Sequence, residues 1–234
     1  MKRILVVYYS QTDQLTNIIR SICAPLESAG ELDVHYERLE PVRDYPFPWT
    51  FFNFLDAFPE SVYLDPPELK PLSLQGDEDF DLVILAYQVW FLSPSLPVTA
   101  FLKSSRGKQL LHGKPVVTVI GCRNMWLMAQ EKVKGLLREA GARLLDNVAL
   151  VDKGNSLLTF ITTPRWMLSG NKGSDEGLLP RAGIAQEEID RASRFGHALA
   201  EALAQDKERG DEPMLQGLKA VDVDVRLIPS EKIG

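Results

Sequence analysis

Ile4-Leu5-Val6-Val7-Tyr8-Tyr9 runs directly into Ser10-Gln11-Thr12-Asp13-Gln14-Leu15-Thr16-Asn17, and the reading of this stretch decides the fold. The first six residues lack any charge or small polar group, as a strand covered on both faces requires. Beyond the polar turn, Leu15, Ile18, Ile19, Ile22 and Leu26 recur at helical spacing, and Gly30 supplies a stop. A buried strand, a short turn and an amphipathic helix open a parallel sheet flanked by helices. Lys2 and Arg3 ahead of an apolar run resemble the start of a secretory leader. The run is too short for that and passes at once into Gln11, Thr12 and Asp13.

The same alternation continues along the chain. Val34–Leu39, Phe80–Tyr87, Pro115–Gly121 and Arg143–Val151 read as four further strands. Ser93-Pro94 reads as a helix cap followed by proline at the first helical position, opening a helix over Ser95–Ser104 with Pro97 still inside its first turn. Met125–Ala140 follows, with Ala129, Val133, Leu136, Leu137 and Ala140 on one face and Gly141 as its stop. Ala185–Gln205 is the last helix.

Two segments exceed a minimal five-strand unit. The 39 residues of Pro41–Asp79 hold seven of the 15 prolines and eight of the chain's aromatics, so they form an insertion and not a turn. Thr50–Phe58 within it reads as a short helix covering one sheet edge, and its aromatics suit either packing or a substrate or subunit surface. Asp152–Ile184, around Thr163-Pro164-Arg165-Trp166, is a second insertion. From Asp206 the tail begins charged, and then Val221, Val223, Val225 and Leu227 alternate with polar residues. That is a period-two strand pattern at the end of a domain spanning residues 1–206.

A length of 234 residues is enough for one sizeable core without disulfide or metal staples. With 26 Lys+Arg against 32 Asp+Glu, the net charge of −6 argues against a general nucleic-acid binder. Cys23 and Cys122 form no CxxC and no Cys/His cluster, which fits a reducing compartment and supplies no metal site. No stretch reaches the ~20 apolar residues needed to span a bilayer. A cytoplasmic, non-membrane protein is expected.

The turn after the first strand can carry chemistry. Ser10, Thr12 and Thr16 bring hydroxyls, and Gln14 and Asn17 bring amides, to the start of a helix whose first-turn N–H groups and dipole attract an anion. Ordinary helix capping uses the same residue types. GxGxxG, GxxxxGK[ST] and GxSxG do not occur, so a dinucleotide fingerprint, a P-loop and a nucleophile elbow are excluded. His35, His112 and His197 read as structural, and Cys122 reads as a small buried residue.

Val6-Val7-Tyr8-Tyr9-Ser10-x-Thr12-x-Gln14-x-Thr16 resembles the FMN-phosphate loop of flavodoxin-like proteins. Tyr87-Gln88-Val89-Trp90-Phe91-Leu92-Ser93-Pro94 is similar to the aromatic flavin loop of the family's NAD(P)H-dependent reductases, and Gly121-Cys122-Arg123-Asn124-Met125-Trp126 falls at the third flavin loop. The resemblance spans about Lys2–Ala149 and the last helix. It implies a five-stranded parallel sheet of order 2-1-3-4-5 with helices on both faces, and an FMN-dependent oxidoreductase using NAD(P)H. The substrate expected is a planar quinone-like, phenolic or cyclic-dione molecule, handled by a homodimer or higher homo-oligomer.

On this resemblance Ser10, Thr12, Gln14, Leu15 and Thr16 hold the phosphate end, and Tyr87, Gln88, Val89, Trp90, Phe91, Cys122, Arg123 and Asn124 surround the ring. Tyr87 and Arg123 are the candidate catalytic contributors, with Arg123 stabilising negative charge on the reduced ring. Trp49, Phe52, Trp126 and Trp166 stand on the substrate side. The insertion Phe47-Pro48-Trp49 … Phe58-Pro59-Glu60-Ser61-Val62 also resembles flavodoxin-like proteins of dialkylresorcinol biosynthesis, which implies a flavin-dependent aromatase. A flavodoxin-type electron carrier is the third expectation. Asp13 stands where the family usually has glycine. Turned outward it leaves the phosphate site intact, and turned inward it opposes the dianion.

Overall fold

The computed structural model describes residues 1–74, 76, 78–122, 126–151 and 183–221. Five strands form one parallel sheet: β1 (Lys2–Tyr8), β2 (Leu32–Arg38), β3 (Leu82–Tyr87), β6 (Pro115–Cys122) and β7 (Arg143–Val151). Their spatial order is β2-β1-β3-β6-β7, the expected 2-1-3-4-5 when sheet strands alone are counted. Two-residue strands β4 (Val89–Trp90) and β5 (Ser93–Pro94) pair antiparallel in the loop after β3.

Alternate residues of each strand serve opposite layers. Ile4, Val6, Ile84, Ala86, Val117 and Val119 face α1 (Asp13–Ser28) together with α6 (Gln186–Arg191) and α7 (Ser193–Ala204). Leu5, Val7, Val83, Leu85, Val116 and Ile120 face the other layer, which holds α3 (Leu96–Lys103), α4 (Ser105–Leu111) and α5 (Leu127–Glu139). The apolar runs of β1, β3 and β6 follow from burial on both sides.

Two glycines are required by geometry. Gly141 has φ +73° beyond the end of α5, where the Ala142 N–H donates to the Leu137 carbonyl at 2.9 Å and closes the helix. Gly196 lets α7 press on α1, since a Cβ there would lie 1.9 Å from the Ile22 carbonyl oxygen.

Several boundaries differ from the sequence reading. The expected single helix over Ala185–Gln205 divides at Ala192, because Ala192 N–H bonds to Ile189 O and Phe195 N–H to Ala192 O, three residues back in each case. Ser93-Pro94 does not open a helix. It pairs with Val89–Trp90, so the cap position moves to Ser95. The expected short helix of the first insertion, α2, extends over Phe51–Tyr63, and the Thr50 hydroxyl caps it by accepting from Asn53 N–H at 3.2 Å.

The tail is joined to the sheet domain. Lys2 reaches Glu208 at 2.6 Å and Asp206 at 2.8 Å, and Asp146 accepts from Met214 N–H at 2.7 Å. Val221 forms an isolated parallel bridge with Ala149. The rest of the expected tail strand, and residues 152–182 of the second insertion, lie outside the described residues.

Gly196→Ala is expected to cost about 2–3 kcal/mol through overpacking at a backbone carbonyl. Gly135, also helical, has open space around a Cβ, and Gly135→Ala should gain about 0.5–1 kcal/mol. Urea unfolding of both variants checks the pair, and equal effects would contradict the packing described.

Candidate functional site

Because β1 lies between β2 and β3, the chain leaves the carboxyl ends of β1 and β3 in diverging directions, and a crevice opens there. The polar turn Tyr9–Thr12 occupies one side of it. Thr12 is the N-cap of α1 in extended conformation, and its side chain makes no capping bond. Among the described residues no side chain accepts from the N–H groups of Asp13, Gln14 or Leu15. These amides point out of a 16-residue helix and add to the positive end of its dipole. The Ser10 hydroxyl is buried and donates to the Thr12 carbonyl, shaping the turn. Thr12 and Thr16 are half-buried, and Leu15 is the apolar floor beneath the turn.

Asp13 occupies the first helical position and is exposed to solvent. The side chain of Gln14 donates to the Ile184 carbonyl at 3.3 Å, so the return from the second insertion meets the start of α1.

Across the crevice stands the loop after β3. The Gln88 side-chain oxygen accepts from Gln11 N–H at 3.2 Å, which joins the two loops. One amide of the turn is therefore satisfied by the protein, and the unpaired donors begin at Asp13. Beyond Gln88, Phe91 and Leu92 both have positive φ, 48° and 59°, at the tip of the β4–β5 ribbon. Type I′ turns require that geometry and normally take it from glycine or asparagine, so this tip is strained.

Aromatic side chains of the first insertion hold the strained tip. Phe91 lies 4.8 Å from Phe54 and 5.1 Å from Phe58, both edge-on. Trp90 is 7% exposed, with Trp49 at 5.0 Å, Tyr45 at 5.1 Å and Tyr9 at 5.7 Å around it. The Trp49 indole N–H donates to Gln11 Oε1 at 2.9 Å, and Gln11 Nε2 donates to the Tyr45 carbonyl at 3.1 Å. Burial pushes the Tyr9 phenol well up and that of Tyr45 up to about 12, so both stay neutral hydroxyls.

The turn that carries Ser10, Thr12, Gln14, Leu15 and Thr16 and the loop that carries Gln88, Val89, Trp90 and Phe91 meet at one junction, through Gln11 N–H to Gln88 and through Tyr9 against Trp90. Tyr87 is withdrawn from it. Its side chain is wholly buried, and its hydroxyl donates to Gln130 Oε1 at 2.6 Å. Gln130 in turn donates to Thr118 Oγ1 at 3.1 Å, and Thr118 to Asn147 Oδ1 at 2.9 Å, a polar chain crossing the sheet from β3 to β7. Trp49 and Trp126 are buried as well, whereas Phe52 is 76% exposed on the outer face of α2.

Cys122 ends β6, and burial pushes its thiol up to about 12, so it is not a thiolate at neutral pH. Arg123, Asn124 and Trp166 lie outside the described residues. The sequence reading overlooked Gln11 and Tyr45 as site-forming groups. An amide side chain between two hydroxyl-bearing residues was the only local sign of Gln11's bridging role. Among the described residues no cluster of His, Cys, Asp or Glu could hold a metal ion, and no helix is long and apolar enough to cross a membrane.

No family model and no curated protein matches the sequence. Solved structures do share the fold. A flavoprotein in complex with FMN from Lactobacillus acidophilus NCFM superposes with TM-score 0.51 at 15% identity, covering 64% of this chain and 93% of its own. A protein assigned as a flavoprotein from Bacteroides eggerthii DSM 20697 gives TM-score 0.50 at 17% identity, over 64% of this chain and 89% of its own. The fold is flavodoxin-like.

Gln11→Ala leaves the Trp49 indole N–H without its acceptor and unfastens the insertion from the turn. A stability loss of about 1–3 kcal/mol is expected, with faster amide exchange along α2. A loss under about 0.5 kcal/mol with unchanged exchange would contradict this tether.

Proposed function

We propose that the chain is an FMN-dependent oxidoreductase, working with NAD(P)H on a planar quinone-like, phenolic or cyclic-dione substrate. The observation that carries this reading is the start of α1. Its first-turn amides have no acceptor among the described residues, and the hydroxyls of Ser10, Thr12 and Thr16 stand beside them. Such a terminus suits a phosphate monoester. The flavin complex with the same fold supports the choice of FMN over other phosphates.

The residues present fit that group. Amides 13–15 and the hydroxyls of Thr12 and Thr16 would hold the phosphate, while the buried Ser10 keeps the turn in shape. Asp13 is exposed, which leaves its carboxylate free to turn into solvent away from the amides. Gln88, Val89, Trp90 and Phe91 would border the ring on the β3 side. Cys122, Arg123 and Asn124 would border it after β6 by their place in the sequence. Bound FMN supplies hydride-transfer chemistry, which the protein's own side chains do not have.

The protein's part is to orient and to exclude water. Trp49, Tyr45 and Phe54 make the loop after β3 dry and fix its tip. Tyr87 acts as a positioning residue, because its bond to Gln130 anchors the end of β3 from which Gln88 projects. Arg123 would meet negative charge developing on the ring. Phe52 and Trp166 remain the proposed substrate side, while the buried Trp49 and Trp126 would back it by packing, and a second subunit of a homodimer would complete it.

Purified protein titrated with FMN should take up one equivalent and oxidise NAD(P)H when a quinone is added. Thr16→Val is expected to weaken FMN binding about tenfold, and Asp13→Gly to tighten it by about threefold to tenfold by removing a nearby negative charge. Absence of FMN binding in wild type, read from the flavin absorbance spectrum, would overturn the proposal. FMN binding with a stable one-electron reduced form and no NAD(P)H turnover would replace the enzyme by an electron carrier.

A further inference from the structure

The later part of the first insertion, from Pro66 to Leu74, runs beside α3 and α4 and leaves a cleft of about 780 Å³ between them. That volume lies in the range of small-molecule sites. Leu69, Leu72, Leu74 and Ala100 give it an apolar floor. The segment is fixed on one edge, where Val42 N–H donates to the Glu68 carbonyl at 2.9 Å and Lys70 N–H to the Glu40 carbonyl at 2.8 Å. Pro67 and Pro71 flank Leu69 and have no N–H, so an added peptide strand would find a broken row of donors. The cleft suits a compact ligand better than an extended chain.

Its charges narrow the ligand further. Lys70, Lys103 and Arg106 border the cleft with Glu68. Lys70 pairs with Glu40 at 3.0 Å. Arg106 gives Nη2 to Glu78 at 2.7 Å and to the Gly76 carbonyl at 2.6 Å, and Nη1 to Gln109 at 3.0 Å. Two donors remain unspent on one wall. Arg106 Nη1, on a side chain 25% exposed, keeps a second N–H beyond its bond to Gln109, whereas Nε is closed off from solvent and has no acceptor among the described residues. The Lys103 ammonium, three residues away, donates to the Leu64 carbonyl at 2.6 Å and keeps two further N–H groups.

We propose that this cleft binds an amphipathic monocarboxylate, with its head at Lys103 and Arg106 and its apolar body over Leu69, Leu72 and Leu74. Glu40, Glu68 and Glu78 offset Lys70, Lys103 and Arg106, so the cleft is near neutral as a whole and opposes a dianionic phosphate more than a monoanion, whose head is met locally by the Lys103 ammonium. The site shares no residue with the proposed flavin crevice and stands whether or not FMN binds.

Sodium octanoate titrated into the flavin-free 234-residue chain, followed by calorimetry and methyl NMR, tests this. One site is expected, with shifts centred on the methyls of Leu69, Leu72, Leu74 and Ala100. Octan-1-ol and octyl phosphate should each bind about tenfold more weakly, as should octanoate to the Lys103→Gln, Arg106→Gln double variant. Should that variant fail to fold, wild type alone decides: added salt should weaken octanoate and leave octan-1-ol unchanged. No octanoate binding at millimolar concentration, equal binding of octanoate and octan-1-ol, or shifts centred elsewhere would overturn the proposal.

Discussion

The placing of β1 between β2 and β3 is the constraint on which the rest depends. Parallel strands require crossover helices, and the two crossovers that leave this point diverge. The carboxyl ends of β1 and β3 therefore cannot be covered by the chain that follows them directly. Helix α1 starts at that gap with its first-turn amides unspent on any described side chain. The apolar burial of β1, β3 and α1 stabilises an arrangement in which a row of backbone donors and a helix dipole face an opening. The energetic demand for an anion at the site follows from the topology before any particular side chain is considered.

The first insertion answers a second demand at the same place. The loop after β3 must turn tightly to reach α3, and it does so through Phe91 and Leu92 at positive φ, a conformation unfavourable for both. Phe54 and Phe58 from α2 hold Phe91 on two sides, and Trp49, Tyr45 and Tyr9 surround Trp90. Gln11 ties this aromatic assembly back to the turn after β1 through Trp49. The polar turn and the aromatic loop are thus one mechanical unit, held by packing on one side and by the amide groups of Gln11 and Gln88 on the other.

The elements legible from sequence were those set by local pattern. The largely apolar runs of β1, β3 and β6, the five-position face of α1 and the stop at Gly141 each state their role in a few adjacent residues. The turn from Ser10 to Thr16 was legible because hydroxyls before an amphipathic helix are a local pattern too. What escaped reading depends on distant partners. Nothing near Phe91 and Leu92 marks a positive-φ turn, since the strain is offset by α2 more than thirty residues earlier in the chain. Trp49 reads as a substrate-side aromatic until Gln11 is seen to accept its N–H. Tyr87 reads as a ring contact until Gln130, from a helix beyond the next strand, is found to take its hydroxyl. The break at Ala192 is likewise silent, because alanine continues a helix as readily as it ends one.

The central claim is that the start of α1 grips the phosphate of a flavin nucleotide. Comparing the affinities of FMN and riboflavin for the same protein tests it most directly, because the two ligands share the ring and differ in that phosphate. The account predicts that FMN binds at least about a hundredfold more tightly, and that free inorganic phosphate competes with FMN but not with riboflavin. Equal affinities for the two flavins would contradict it.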